Sequence, residues 1–300
     1  MKIRILLFTV LMLALSSAFA QKGEPVILRV IYQFKHVNDI SKPKKAKDVE
    51  MILRLGKTES RYNNWTEELK SAYARKNGPT ASTGAASGAG GFGFAPTVFV
   101  ESIGLEEFDL MQYPNLNKLK SVMKLSSSNY LIETTLPIIN WKVYEEKKEI
   151  GGYTCQKAVG AYAGRTYTAW FAPELPFRNG PWKLWGLPGL ILEATDATGE
   201  VRFLFKEMNK SEEQESTAAR NTRVVKVSEK AFEQASQAFD KDPVAFYQTQ
   251  LPIGTTEKAQ LAFRDDDGNF HYGEDAKKFY DAYKKNLKQR KNNPLELKKP

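Results

Sequence analysis

The stretch Gly180-Pro181-Trp182-Lys183-Leu184-Trp185-Gly186-Leu187-Pro188-Gly189-Leu190-Ile191-Leu192-Glu193 sets an apolar loop punctuated by Gly and Pro against a run that reads as a strand. Pro181 and Pro188 remove backbone donors and stiffen the chain, while Gly180, Gly186 and Gly189 permit positive φ or close backbone approach. The result is a shaped loop leading into a strand over Leu190–Asp196. Two uses fit it. In one, Leu187, Leu190 and Ile191 plug the end of a core, covered by Trp170, Trp182 and Trp185. In the other, the loop lines an apolar groove or offers an edge to a partner, and Trp170, Trp182, Trp185, Leu187, Pro188 and Leu190 are the contact residues.

Working outward, β-branched and aromatic residues mark further strands at Val26–Phe34, Val49–Leu55, Thr97–Ser102, Tyr130–Thr135, Ile139–Tyr144, Tyr153–Val159, Arg165–Ala172, Val201–Glu207 and Thr222–Val227. Gly151-Gly152, Ala163-Gly164 and Thr198-Gly199 mark tight turns, so consecutive strands are expected to run antiparallel in a meander. The spacing predicts a mainly β chain with some α elements, built on a large sheet, a sandwich or a half-open barrel. A short helix is expected from Thr66 to Arg75 or Lys76, and Ser228 is a good N-cap for one ending near Asp240, closed by Pro243. Leu261–Arg264 and Phe270–Tyr272 flank a hairpin turn at Asp265–Asn269, followed by a basic helix over Glu274–Lys291.

Residues 1–20 read as a cleaved secretory leader: Lys2 and Arg4 start it, Ile5–Leu15 is apolar, and Ala18-Phe19-Ala20 is a small-x-small cleavage site. Its apolar run is shorter than the roughly 20 residues a spanning helix needs, and nothing later approaches that length. No Cys lies near the cut, so a lipoprotein is excluded and a periplasmic or secreted chain is expected. Residues 21–273 read as one β-rich domain, interrupted at 77–96 by a segment of Gly, Ala, Ser, Thr and Pro with the composition of a flexible loop. Residues 274–300 form the basic helix and tail.

Charge is concentrated at that end. Without Lys2 and Arg4, 42 basic residues face 35 acidic ones, while 277–300 alone hold nine basic and two acidic residues, so the body at 21–276 is formally neutral. A neutral, exported body argues against nucleic acid. The tail reads as a solvated helix end, with attraction to an anionic lipid or other acidic surface as the functional alternative.

Few routes to catalysis are open. His36 and His271 are the sole imidazoles, and no His-Glu-x-x-His or paired-Cys spacing points to a metal. No Gly-x-Ser-x-Gly elbow exists, and Ser-x-x-Lys at Ser41–Lys44 and Ser121–Lys124 lacks its companion elements. Asp265-Asp266-Asp267-Gly268 fails the calcium-loop register and reads as a turn. Cys155, the single cysteine, is a buried small hydrophobe, an intermolecular partner or a reactive thiol, with burial the favoured reading.

The hexad Gly186-Leu187-Pro188-Gly189-Leu190-Ile191 resembles the signature of the GLPGLI family, exported proteins of Bacteroidetes-type bacteria with no assigned role. Ile150–Ala158, Gly164–Phe171 and Gly180–Lys183 follow the motif order of that family, and Tyr32–Tyr62 resembles its N-terminal portion. Trp141, the Ile150–Tyr153 turn and the strand with Cys155 and Lys157 are similar to LolA-like lipoprotein carriers, which implies a curved antiparallel sheet around an apolar cavity. The expectation is a non-catalytic envelope binding or accessory protein without cofactor or metal, carrying an apolar ligand in its sharper version. An interaction module serving an outer-membrane machine is the alternative, and a hydrolase the least favoured class.

Overall fold

The computed structural model describes residues 23–77, 97–101, 108–126, 128–211, 215–218, 224–251, 255, 258–265, 269–290 and 292–298. The expected leader and, apart from Asn77, the segment 77–96 lie outside them.

In chain order the elements are β1 (Leu28–His36), β2 (Lys47–Leu55), β3 (Ser60–Asn64), α1 (Trp65–Asn77), β4 (Thr97–Glu101), β5 (Phe108–Tyr113), β6 (Lys118–Leu125), β7 (Ser128–Thr135), β8 (Lys142–Ile150), β9 (Tyr153–Tyr162), β10 (Arg165–Ala172), β11 (Leu190–Asp196), β12 (Val201–Lys210) and β13 (Val225–Val227). After these come α2 (Glu229–Lys241), α3 (Pro243–Gln248), β14 (Gln260–Arg264), β15 (Phe270–Tyr272) and α4 (Gly273–Arg290).

Twelve strands form one sheet in the order β13-β7-β6-β5-β3-β2-β1-β12-β11-β10-β9-β8. It is two antiparallel meanders, β1 to β7 without β4 and β8 to β12, joined by the β1–β12 pair, in which Phe34 faces Phe203. The expected meander holds, with parallel pairing confined to β13 on β7 and β14 on β4. At the predicted turns Gly151, Gly152, Ala163, Gly164 and Gly199 all take positive φ.

Connectivity forces this sheet to curl. β7 and β8 follow each other in sequence yet stand ten inter-strand gaps apart, roughly 48 Å across a flat sheet. The link from Thr135 to Lys142 reaches at most about 25 Å when fully extended. The ends are therefore drawn toward each other, but β7 and β8 do not pair, and the sheet stays open rather than closing into a barrel.

Two sequence expectations change here. The strand expected at Ile139–Tyr144 starts later: residues 136–141 are the link, and the strand begins at Lys142 and takes in the charged run Glu145–Glu149. Charge on an edge strand, with a register shift between Val143 and Lys147, is how open edges are kept from pairing with other chains. β3, β5 and β6 were not anticipated. In β3 the outward residues Arg61 and Asn63 are polar yet buried, so hydrophobic alternation gives no signal there.

The core lies on one face, with Val30, Tyr32 and Phe34 of β1, Met51, Leu53 and Leu55 of β2, and Tyr167, Ala169 and Phe171 of β10 all buried. α1 covers the opposite face through charge: Arg54 of β2 donates to Glu68 at 2.7 Å, to Asn63 at 2.8 Å and to Glu215 at 2.5 Å. A second cluster joins Val98 of β4 and Leu261 and Phe263 of β14 to Ala276 and Tyr280 of α4. Ser228 caps α2 through Ala231 N–H at 3.2 Å, and Pro243 both ends α2 and opens α3.

Beyond α4 the tail is not a solvated end. Residues 292–298 return to the sheet, where Arg165 donates to Asp196 at 2.6 Å, Asn293 Oδ1 at 2.5 Å, the Pro294 carbonyl at 2.7 Å and the Leu295 carbonyl at 3.1 Å. Leu297 and Lys298 N–H both donate to the Ala163 carbonyl. Because breaking a buried ion pair strands its partner, Arg165→Met is expected to cost about 3–5 kcal/mol in denaturant unfolding. It is also expected to strip hydrogen-exchange protection from 292–298. Protection unchanged there would show that the strap is held by other contacts.

Candidate functional site

The connection between β10 and β11, residues 173–189, is the longest link within the β8–β12 meander, and it crosses the core-facing side of the curl. Asn179 Nδ2 donates to Ser60 Oγ and Gln112 Oε1, both at 2.9 Å, and Gln112 Nε2 donates to the Trp182 carbonyl at 3.1 Å. It thereby ties β10 and β11 to β3 and β5. Tyr32 hydroxyl of β1 donates to the Ile191 carbonyl at 2.8 Å, anchoring the exit.

Inside this crossing Trp182 takes φ 55°, a conformation costly for a bulky residue. Its indole is buried against Phe203, stacked at 6.2 Å, and against Tyr162, edge-on at 5.4 Å, and that packing offsets the strain. Two hexad glycines meet backbone demands. Gly186 has φ +99°, and a Cβ on Gly189 would stand 2.3 Å from the Ala172 carbonyl oxygen.

Where the crossing turns outward it closes the seam between the sheet ends. Trp185 Nε1 donates to the Pro137 carbonyl at 2.7 Å, and Trp141 Nε1 donates to the Trp185 carbonyl at 2.8 Å. Arg178 donates to the Gly186 carbonyl at 3.0 Å, and Leu136 N–H reaches the Asn117 carbonyl at 3.4 Å. The loops 114–117, 136–141 and 178–186 thus form one hydrogen-bonded rim. On it Ile138 is 89% exposed and Leu116 66% exposed, beside half-buried Trp141 and Trp185 and exposed Pro188.

The six sequence candidates separate accordingly. Trp182, Leu187 and Leu190 are buried core residues. Trp170 lies on the outer face, with Lys148 Nζ 4.6 Å from its ring and bonded to Glu193 at 2.5 Å. Trp185 and Pro188 alone reach the rim. Sequence reasoning missed Leu116, Ile138 and Arg178 as rim residues; the signal available was an apolar pair, Ile138-Ile139, between Pro137 and Trp141.

The remaining chemically capable groups serve the fold. His36 is buried with Nε2 2.8 Å from the Asn293 carbonyl, and His271 pairs with Asp265 at 2.9 Å and stacks on Phe279. Among the described residues no three His, Cys, Asp or Glu side chains are grouped to hold a metal ion. Cys155 is buried, with Sγ 3.6 Å from the Tyr153 carbonyl, and burial, aided by Glu193, pushes its thiol up to about 11.

Trp185→Phe removes the donor to Pro137 and is expected to lower stability by about 1 kcal/mol, a few degrees in a thermal scan. An unchanged melting temperature would show that the clasp is energetically idle. Burial and the raised pKa keep Cys155 largely a thiol at pH 8, so a thiol reagent is expected to label native protein far more slowly than unfolded protein. Equal rates would contradict the burial.

The family model described as "Protein of unknown function (Porph_ging)" matches residues 161–193. No curated protein matches the chain. Solved structures of PNGF-II in C2 and P21 space groups superpose with TM-scores of 0.49 and 0.48 at 14% and 13% identity. The matches cover 70% of this chain but 32% and 33% of theirs, so the chain spans about a third of their length and the likeness carries no functional argument. The matched residues 161–193 run from the end of β9 into β11 and hold the hexad Gly186–Ile191, so the similarity to this family of unknown function is carried by the crossing and the strand it enters.

Proposed function

We propose that this is a non-catalytic binding or accessory protein exported to the cell envelope, and that it makes its contact through the outer rim of the seam rather than by enclosing an apolar ligand. The exposure of Ile138 on a hydrogen-bonded rim carries this reading. An aliphatic side chain held in water beside two tryptophans is the kind of surface that a partner covers. Internal carriage is less favoured because Trp182, Leu187 and Leu190, three of the side chains expected to line a groove, are packed in the core. Export rests on the leader read in residues 1–20.

The rim is also mechanically suited to recognition. Its side chains stand on loops pinned to each other by indole-to-carbonyl bonds, so little conformational freedom is lost on contact. In fractionated cells the wild-type chain is expected in the envelope, in a large or particulate fraction. Ile138→Asp, at a solvent-facing position that leaves folding intact, is expected to release most of it to the soluble fraction. Identical distribution of the two would remove the rim as the contact surface.

A further inference from the structure

We infer that the rim binds an anionic phospholipid surface, lying on the membrane without crossing it; this rests on the rim being the contact surface. Three loop segments meet there: 114–117, 136–141 and 178–186. None contains Asp or Glu; they hold Arg178 and Lys183, and Lys118 and Lys142 directly follow two of them. The C-terminal run 282–295 is likewise free of acids and rich in cations, so it is the competing basic surface.

Two neighbouring acids are already engaged with cations. Glu133 of β7 accepts from Lys226 at 2.9 Å and lies 3.9 Å from Lys118, and Glu296 of the strap accepts from Lys183 at 2.5 Å. Lys142 lies over the Tyr144 ring at 5.1 Å, and Arg178 donates to a backbone carbonyl. Both therefore retain their charge toward solvent at the rim.

Aliphatic tips, an aromatic belt and flanking cations are the three elements of interfacial membrane binding. Ile138 and Leu116 are the residues placed to enter the acyl boundary. Trp141 and Trp185 present half-buried amphipathic rings at the depth where indoles favour the headgroup layer. Lys142 and Arg178 supply the attraction to anionic headgroups. A protein partner would accept the apolar tips equally well, but the absence of acids among the three loops selects a uniformly negative surface. Among the described residues no helix is long and apolar enough to cross a membrane, which suits a surface attachment.

The test is sedimentation of the chain from Gln21 onward with vesicles, so that the apolar N-terminal run cannot itself insert. Neutral phosphatidylcholine vesicles are compared with vesicles containing phosphatidylglycerol. Binding is expected on the anionic vesicles and near background on the neutral ones, weakening as salt rises. Ile138→Asp with Leu116→Asp is expected to reduce it at least tenfold, and Lys142→Gln several-fold. Anionic binding that survives those substitutions would assign it to the basic helix instead and overturn the inference. No vesicle binding, with envelope association still lost in Ile138→Asp cells, would also overturn it while leaving the rim as the site for a protein. Loss of neither would end both readings.

Discussion

The six-residue link between β7 and β8 is the constraint on which the fold depends. It joins strands ten gaps apart in one sheet, and a chain that short cannot cross a flat sheet of that width. The curl follows, and with it a concave side that must be filled. The β10–β11 crossing fills it, which is why Trp182 is buried in a strained conformation and why Asn179 and Gln112 meet across the core. The link and the crossing then meet at the rim, where each tryptophan indole bonds a carbonyl of the other segment.

Three buried guanidinium groups fasten what is not sheet onto what is. Arg54 holds α1 and Glu215, Arg61 holds Asp109 and the Ala218 carbonyl, and Arg165 holds the returning tail. Each has several oxygen acceptors, so desolvation is met by fixed partners. A buried charge with one satisfying arrangement discriminates strongly against misplaced segments. Leucines in the same positions would hold α1 and the tail with less regard to register.

Legibility in the sequence followed the range of the interactions. The β8–β12 meander was readable because its turns demand glycine or positive φ locally, as at Gly151, Gly152 and Gly164. The Ser228 cap was readable for the same reason. β3 was hidden because its outward Arg61 is buried by an ion pair with Asp109 and a hydrogen bond to the Ala218 carbonyl, both far away in sequence. The tail could not be read as docked, since a Lys-rich end looks solvated until Arg165 supplies N–H donors to three of its oxygens. Of the site, Trp185 and Pro188 were in view; Leu116 and Ile138 were not, because their shared location exists only once the sheet has curled.

The hexad and the rim divide two kinds of information. Gly186, Gly189, Leu187 and Leu190 answer demands of φ, backbone clearance and packing, any of which a substitution would violate. Such residues mark a fold strongly and a function weakly. Ile138, Leu116 and Lys142 answer no demand of the fold: their side chains leave the surface, and polar replacements there would cost the folded state little. Exposed apolar side chains gathered on one rim are what the proposed contact would cover. On that proposal, the function lies beside the signature, on the rim that the signature holds in place.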